Sequence, residues 1–387
     1  MTDLDRMWRP TALGRLRRRA LDLVGHADED APVSPRAWAE SASDERYFHR
    51  VLAARAVHRA PLPRNVRRRR ELPRQRDPWG FTFRDVPERV VDPRCVARLP
   101  ECRIVPYRNR WGGEFHAVLT RDGRPLRLRG TGPPRGEVLD PVDGGPPVDC
   151  GEAAWILGRW HRNYYHWLVY HLPQILMLQE LGQAERMLIP RDGRLSPVIG
   201  DSLAALGIDA TEVRPVPTGA LRADPLWVVE SDRFDPGLLQ ALRARIALSG
   251  EAATRRVYLS RELAEKRRLA DGGTALSFLA SAGFEVVQAE RLTFREQAAL
   301  ASETGILIGV HGAGLANMVF MPEGSHVVEL AHPRYPSPQF YALASALGLG
   351  YWLLWGTPAD GRGREALDLR IQTGALERVI AAIEEQG

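Results

Sequence analysis

Between residues 257 and 354, short apolar runs and runs of helical period take turns along the chain. The apolar runs, at 257–259, 284–288, 306–310, 327–330 and 351–354, have strand length. The helical patterns fall between them, at 275–282, 294–302 and 339–347. A strand that returns through a helix to the next strand must lie parallel to it, so this pattern predicts a parallel sheet wrapped by helices. A looser alternation covers 151–248, with strand runs at 154–158, 186–189 and 226–229 and helical patterns at 163–182 and 238–248. The expected class is α/β with two similar halves. A last helix is expected at 374–385.

The flanking segments read differently. Residues 95–150 suggest short strands, with a hairpin over 115–128 turning at Asp122-Gly123, then a Gly/Pro-rich loop over 130–147. Residues 1–94 are rich in arginine and proline. Leu13, Leu16, Ala20, Leu21 and Val24 recur at helical spacing among Arg15, Arg17, Arg18 and Arg19, a basic amphipathic helix that packs on the body of the protein or rests on a membrane surface. Residues 64–76 carry seven arginines against Glu71, flanked by Pro61, Pro63 and Pro73, and read as a solvated linker rather than a phosphate or membrane contact. The expected division is an extension over 1–94, an α/β domain over 95–250, a Rossmann-like domain over 251–365 and a closing helix over 366–387.

The net charge of +5 does not by itself point to an anionic partner, because Lys266 is the only lysine and the arginine bias is chain-wide. No run of 18 apolar residues suggests a membrane span, and no apolar stretch near the N-terminus suggests a secretory signal. Cys95, Cys102 and Cys150 form a sparse, odd set without metal-ligand spacing. Free cytosolic thiols fit that set. The expected location is the cytoplasm, with the arginine-rich N-terminus available for peripheral contact with the inner face of the membrane.

The sharpest local signal is residues 306–317, ILIGVHGAGLAN. A buried strand runs into a turn where Gly309, Gly312 and Gly314 permit positive φ and close approach of the backbone. A helix is expected to start near Leu315, with free N–H groups that hold phosphate. The candidate phosphate-binding residues are His311, Gly312, Ala313, Gly314, Leu315 and Asn317. The competing reading is a tight turn that His311 caps. The spacing matches neither GxGxxG nor a Walker loop. Ser260 and Arg261 end an earlier strand in the same half, and an arginine there can fork onto a diphosphate.

In residues 159–173, Asn163, His166 and Tyr170 share one face of a helix. A neutral His166 could take a proton from an acceptor hydroxyl, against the plainer reading of a core histidine. His161, His166 and His171 are five apart, which is not zinc-site spacing. Glu329, a lone acid in an apolar strand, either accepts bonds from a ribose or sugar hydroxyl or pairs with an arginine. The Asp-x-Asp pairs Asp3/Asp5 and Asp28/Asp30 lie in the N-terminal extension and are discounted as metal ligands.

Taken together, these segments resemble glycosyltransferase family 61. LIGVHGAGLANMVFMPEGSHVVEL is similar to that family's most diagnostic stretch, NYYHWLVYHLP to its N-terminal motif and VYLSRE to its middle one. The resemblance covers about residues 95–356. It implies a GT-B fold, two Rossmann-like domains facing a cleft, with inverting chemistry and no essential metal. It also implies a nucleotide-sugar donor, of UDP type, and a glycan or glycolipid acceptor in surface polysaccharide synthesis, without nucleic acid. The donor would sit on Ser260, Arg261, 311–315, Asn317 and Glu329. Catalysis would fall to His166 with Asn163. One departure stands out: many bacterial relatives carry Asp-Glu where this chain has Tyr170-His171. Either His166 then works alone, or His171 assists, or the chain binds its ligand without turnover. A third class, an arginine-driven nucleic-acid or membrane binder, would depend on residues 1–76.

Overall fold

In this computed structural model, residues 32–77, 80–109, 114–128, 139–141, 146–158, 160–190, 196–246, 253–270, 272–359 and 367–386 are described. The amphipathic pattern at 13–24 and both Asp-x-Asp pairs lie outside them.

The C-terminal half follows the predicted alternation closely. Its strands are Arg255–Leu259, Glu285–Val287, Thr304–Val310, His326–Ala331 and Gly350–Trp355. Taking these in chain order as first to fifth, the sheet runs second, first, third, fourth, fifth, and every neighbouring pair is parallel. Helices Gly272–Ser281, Phe294–Ser302 and Gln339–Ala346 make three of the crossovers. The fourth is a 3-10 helix, Ala313–Phe320. Side chains alternate across the sheet as the pleat requires. Val257, Leu259 and Leu307 face one core, whereas Tyr258, Ile306, Ile308 and Val328 face another beneath Leu279, Leu376 and Ile380. The last two come from the closing helix Thr373–Glu384.

The N-terminal half departs from a Rossmann-like sheet. Its central strand, Leu226–Glu230, is parallel to Ala153–Trp155 on one side but antiparallel to Arg94–Leu99 on the other. Beyond that, Phe48–Ala53 closes the edge, again antiparallel. A second sheet pairs Cys102–Asn109 with Glu114–Leu119 and Leu221–Ala223. The turn at Asp122-Gly123 forms, with Gly123 at φ 88°. Beyond it only isolated bridges form, Leu119 to Pro125 and Leu126 to Val33, so the main partner of 114–119 is the strand before it.

The expected linker over 64–76 is not a solvated one. Leu72 and Phe83 are buried. Asn65 donates to the carbonyl of Leu353 (2.7 Å) and accepts from its N–H (3.2 Å), extending the edge strand of the C-terminal sheet with a side chain. Tyr341 donates to the carbonyl of Pro61 (2.6 Å). Its neighbouring arginines spread outward while the backbone docks. An arginine-rich composition reports the exposed face and hides the few residues that anchor it.

One apolar core joins the two halves. Trp167, Leu168 and Leu172 from the N-terminal half meet Leu315, Met318 and Phe320 of the 3-10 helix in it. The expected boundary near residue 250 therefore separates two sheets that share a core. Cys95 and Cys102 are buried free thiols and Cys150 is half-buried.

Candidate functional site

The strand order places the site. The chain leaves Arg255–Leu259 toward one edge of the sheet and later leaves Thr304–Val310 toward the other. The carboxyl ends of these adjacent strands therefore diverge and open a crevice, where open α/β sheets bind ligands. Ser260-Arg261 follows the first strand and His311-Gly312 the second, so the two signals read separately in the sequence meet at one point.

Their contact is intimate. A Cβ on Gly312 would overlap the guanidinium of Arg261. Gly312 has a φ of −179°, an extended value open to any residue, so glycine here leaves space for the guanidinium and serves no conformational need. Neither Gly309 nor Gly314 has positive φ. The room at Gly309 is filled by Leu315, whose Cδ2 would lie 2.9 Å from an added Cβ. Arg261 donates through Nε to the carbonyl of Arg267 (3.1 Å) and through Nη2 to that of Lys266 (3.2 Å). Its Nη1 faces Gly312.

Arg267 lies alongside, with its guanidinium 5.2 Å from the centre of the Tyr335 ring. Its Nε is buried without a hydrogen-bond partner, and its φ is 61°, left-handed and uncommon outside glycine. Among the described residues neither arginine forms an ion pair. Burial, then the charge of Arg267, pushes Arg261 down to about 10, and burial also lowers Arg267. Glu290 and Asp368 act on Arg261 and Glu329 on Arg267, yet burial outweighs them, a setting that favours a bound anion. Beside the arginines the first amides of the 3-10 helix, at Ala313 and Gly314, have no preceding turn to accept from them.

His311 immediately precedes Gly312 at the same strand end. It is buried, with Nδ1 2.5 Å from Oε1 of Glu329. Tyr351 donates to the other oxygen of Glu329, also at 2.5 Å. Glu329 has no exposure and both its oxygens are engaged, so it orients His311 and does not reach a ribose or sugar hydroxyl. Burial lowers the pKa of His311, with Arg267 and Arg261 adding to that and Glu329 opposing it. Tyr335 and Phe340 pack edge-on against the ring, at 5.2 and 4.9 Å.

The remaining predicted residues are placed as follows. Ser260 is buried and accepts from the N–H of Glu262 (3.3 Å), so it shapes the turn. Leu315 is a core side chain. Asn317 accepts from Tyr164 (2.5 Å) and donates to Gln297 (2.8 Å), tying the halves together rather than facing a ligand. Asn163 is the N-cap of the helical segment Tyr164–His166, its side chain accepting from the N–H of His166. The π-helical turn Trp167–His171 interrupts the predicted α-helix before it resumes as Leu172–Glu180. A π turn adds a residue and shifts the phase, so Tyr170 leaves the face it was expected to share and is buried. His171 is buried too. It contacts the carbonyl of Ile156 (3.0 Å) through Nδ1, its Nε2 has no partner, and burial pushes it down to about 3. It is a core histidine, outside any proton transfer. His166 is half-buried and stacked on Trp160 at 6.3 Å. Three ring contacts, through Tyr165 and Phe340, separate it from His311.

Sequence reading missed Arg267, Tyr335 and Asp77. Asp77 is buried at the end of the docked segment, accepts from the N–H of Phe81 (2.9 Å), and adds to the upward pKa shift that burial gives Tyr165 and Tyr335. Only Arg267 had a signal, being close behind Arg261 in the same strand-end loop. Among the described residues no three His, Cys, Asp or Glu side chains gather as a metal-ligand set, and no helix is long and apolar enough to cross a membrane.

Residues 164–328 match the family model described as Glycosyltransferase 61. The chain is 35% identical over 82 residues to the EGF domain-specific O-linked N-acetylglucosamine transferase of Drosophila melanogaster, a match over 21% of this chain and 16% of that one. The chain thus spans less than a fifth of that relative. Two structures of TibC are similar at low scores. One is the bacterial iron-containing dodecameric glycosyltransferase from enterotoxigenic E. coli H10407, 11% identical over 68% of this chain and 80% of that one, with a TM-score of 0.26. The other is the heptosyltransferase in complex with ADP-D-beta-D-heptose, 12% identical over 67% and 80%, with a TM-score of 0.24. At these scores the likeness carries no argument.

Proposed function

We propose, from the match of residues 164–328 to the glycosyltransferase family 61 model, that the crevice binds a nucleotide-sugar and that the chain transfers its sugar to a glycan acceptor. The observation that carries this reading is the pair Arg261 and Arg267, two partly buried cations without an ion-pair partner among the described residues, at the switch point of a parallel sheet. A diphosphate supplies the missing charge. Arg261 Nη1 faces Gly312, next to the amides of Ala313 and Gly314, and the charge of Arg267 acts on Arg261.

The mechanism proposed is a single inverting displacement in a GT-B-like cleft. The acceptor hydroxyl attacks the anomeric carbon from the face opposite the diphosphate, and the bond to the diphosphate breaks. Charge that builds on the departing phosphate meets donors already in place. One such aimed donor is worth about 3 kcal/mol in a transition state, so two guanidiniums and a helix end can replace a metal. The reading extends to a UDP-sugar and to surface glycan synthesis in the cytoplasm. The alternative is a binding protein without turnover, since Tyr170 replaces the carboxyl of many bacterial relatives.

The test is a thermal-shift screen of nucleoside diphosphates and their sugars, followed by measurement of nucleoside diphosphate release. A ligand that binds only the folded chain raises its melting temperature. Stabilisation by UDP that Arg261→Ala abolishes is the expected result. An equal shift in wild type and Arg261→Ala would sink the assignment, and binding without release would favour the alternative.

A further inference from the structure

We propose that Glu329 and Tyr351 hold His311 in one tautomer, so that its Nε2 is the proton acceptor for the incoming hydroxyl. This rests on the glycosyl-transfer reading and gives the base a location that the sequence motifs did not.

A carboxylate oxygen 2.5 Å from Nδ1 takes a proton in hydrogen bond and holds it there. In a neutral imidazole the lone pair is then on Nε2. Glu329 cannot turn away, because it has no exposure and Tyr351 holds its second oxygen at 2.5 Å. The ring cannot turn either, being packed between Tyr335 and Phe340. His171, by contrast, has its Nδ1 on a main-chain carbonyl and its Nε2 sealed in the core.

In the step, the proton of the acceptor hydroxyl passes to Nε2 as its oxygen bonds to the anomeric carbon. The anomeric carbon–phosphate oxygen bond breaks, and its electron pair departs on the nucleoside diphosphate toward Arg261 and Arg267. The imidazolium keeps its Nδ1 proton toward Glu329 and returns the Nε2 proton to solvent. Glu329 and Tyr351 are positioning residues.

Four neighbouring groups set the charge around His311. Arg261 and Arg267, from the loop after the first strand, and burial disfavour the imidazolium, while Glu329, from the adjacent strand, favours it. Tyr335 faces the ring, and Asp77 acts on Tyr335. A bound diphosphate offsets the two arginines. The donor therefore makes His311 a stronger base once it is in place, which favours donor binding before transfer.

Two measurements on the full chain test this. The first needs no nucleotide: long-range proton–nitrogen correlation spectra of histidine-labelled protein should show His311 protonated on Nδ1 and bare on Nε2. The opposite tautomer in wild type overturns the proposal. The second uses UDP affinity and UDP-sugar turnover. His311→Gln should lower kcat about 100-fold or more, the usual scale for loss of a general base, with UDP affinity within about threefold. Glu329→Gln should lower kcat and move the acid limb of its pH profile to lower pH, because the group that favours the imidazolium is gone; Tyr351→Phe should move it far less. A merely structural Glu329 would lower the melting temperature without moving that limb. Turnover lost in His166→Gln and kept in His311→Gln would also overturn the proposal. If UDP does not bind wild type at all, the failure belongs to the proposed function, and the tautomer decides the relay alone.

Discussion

Replacing Arg261 by methionine separates a binding cation from a structural one, because the two roles predict different changes in stability. Arg261 is held charged in a place that disfavours charge, with burial and Arg267 bringing it down to about 10. A fall of that size corresponds to roughly 3 kcal/mol against the folded state. Set against it are two hydrogen bonds from a charged donor to main-chain carbonyls, about 1.5 kcal/mol each at the low end. Arg261→Met should therefore leave the ligand-free chain within about 1 kcal/mol of wild type, roughly 2 °C in melting temperature for a chain of this size. The sign of the charge's cost follows from linkage. A cation whose folded pKa is depressed destabilises the fold at every pH below that value, and the effect fades only above about pH 10. The same substitution removes a charged hydrogen bond to phosphate, about 1.5–3 kcal/mol, so UDP affinity should fall by roughly 10- to 150-fold. Differential scanning calorimetry without ligand and isothermal titration with UDP read the two numbers. A lower melting temperature together with UDP affinity unchanged within twofold would refute the argument, since Arg261 would then be an ordinary structural residue.

Gly312→Ala should fold with nearly wild-type stability, because Arg261 can swing outward from the added methyl, yet lose at least about tenfold in UDP affinity by titration. His171 should shape acid stability. Its proton is refused in the folded state down to about pH 3, so stability is intact above about pH 6.5 and declines by up to about 1.4 kcal/mol per pH unit as pH falls below that. In His171→Asn, which can keep a bond to Ile156, urea midpoints measured between pH 7 and pH 4 should fall less steeply than in wild type.

The local pattern of this chain carried much of the fold. Every apolar run read as a strand between 257 and 354 is a strand, because period-2 burial on both faces of a parallel sheet leaves a continuous apolar signature. The pattern was weaker in the N-terminal half. Whether Arg94–Leu99 runs with or against Leu226–Glu230 depends on partners 130 residues away, and no local periodicity encodes that. The π turn at Trp167–His171 was equally invisible, since its residues suit an α-helix and only packing selects the wider turn. It moved Tyr170 and His171 into the core and so changed which histidines can meet a substrate.

By itself, the sequence determined the strand–helix alternation, the family resemblance and the two motifs that hold Arg261 and Gly312, because these depend on residue type and near spacing. Tertiary structure alone decided that Arg267 and Arg261 stand together without an ion-pair partner among the described residues, that Asp77 acts on Tyr165 and Tyr335, and that Glu329 pairs with His311. Each of those facts is a distance between side chains that only the folded backbone fixes. Charge and burial act through such distances, and the order of residues along a chain does not contain them until the sheet has closed.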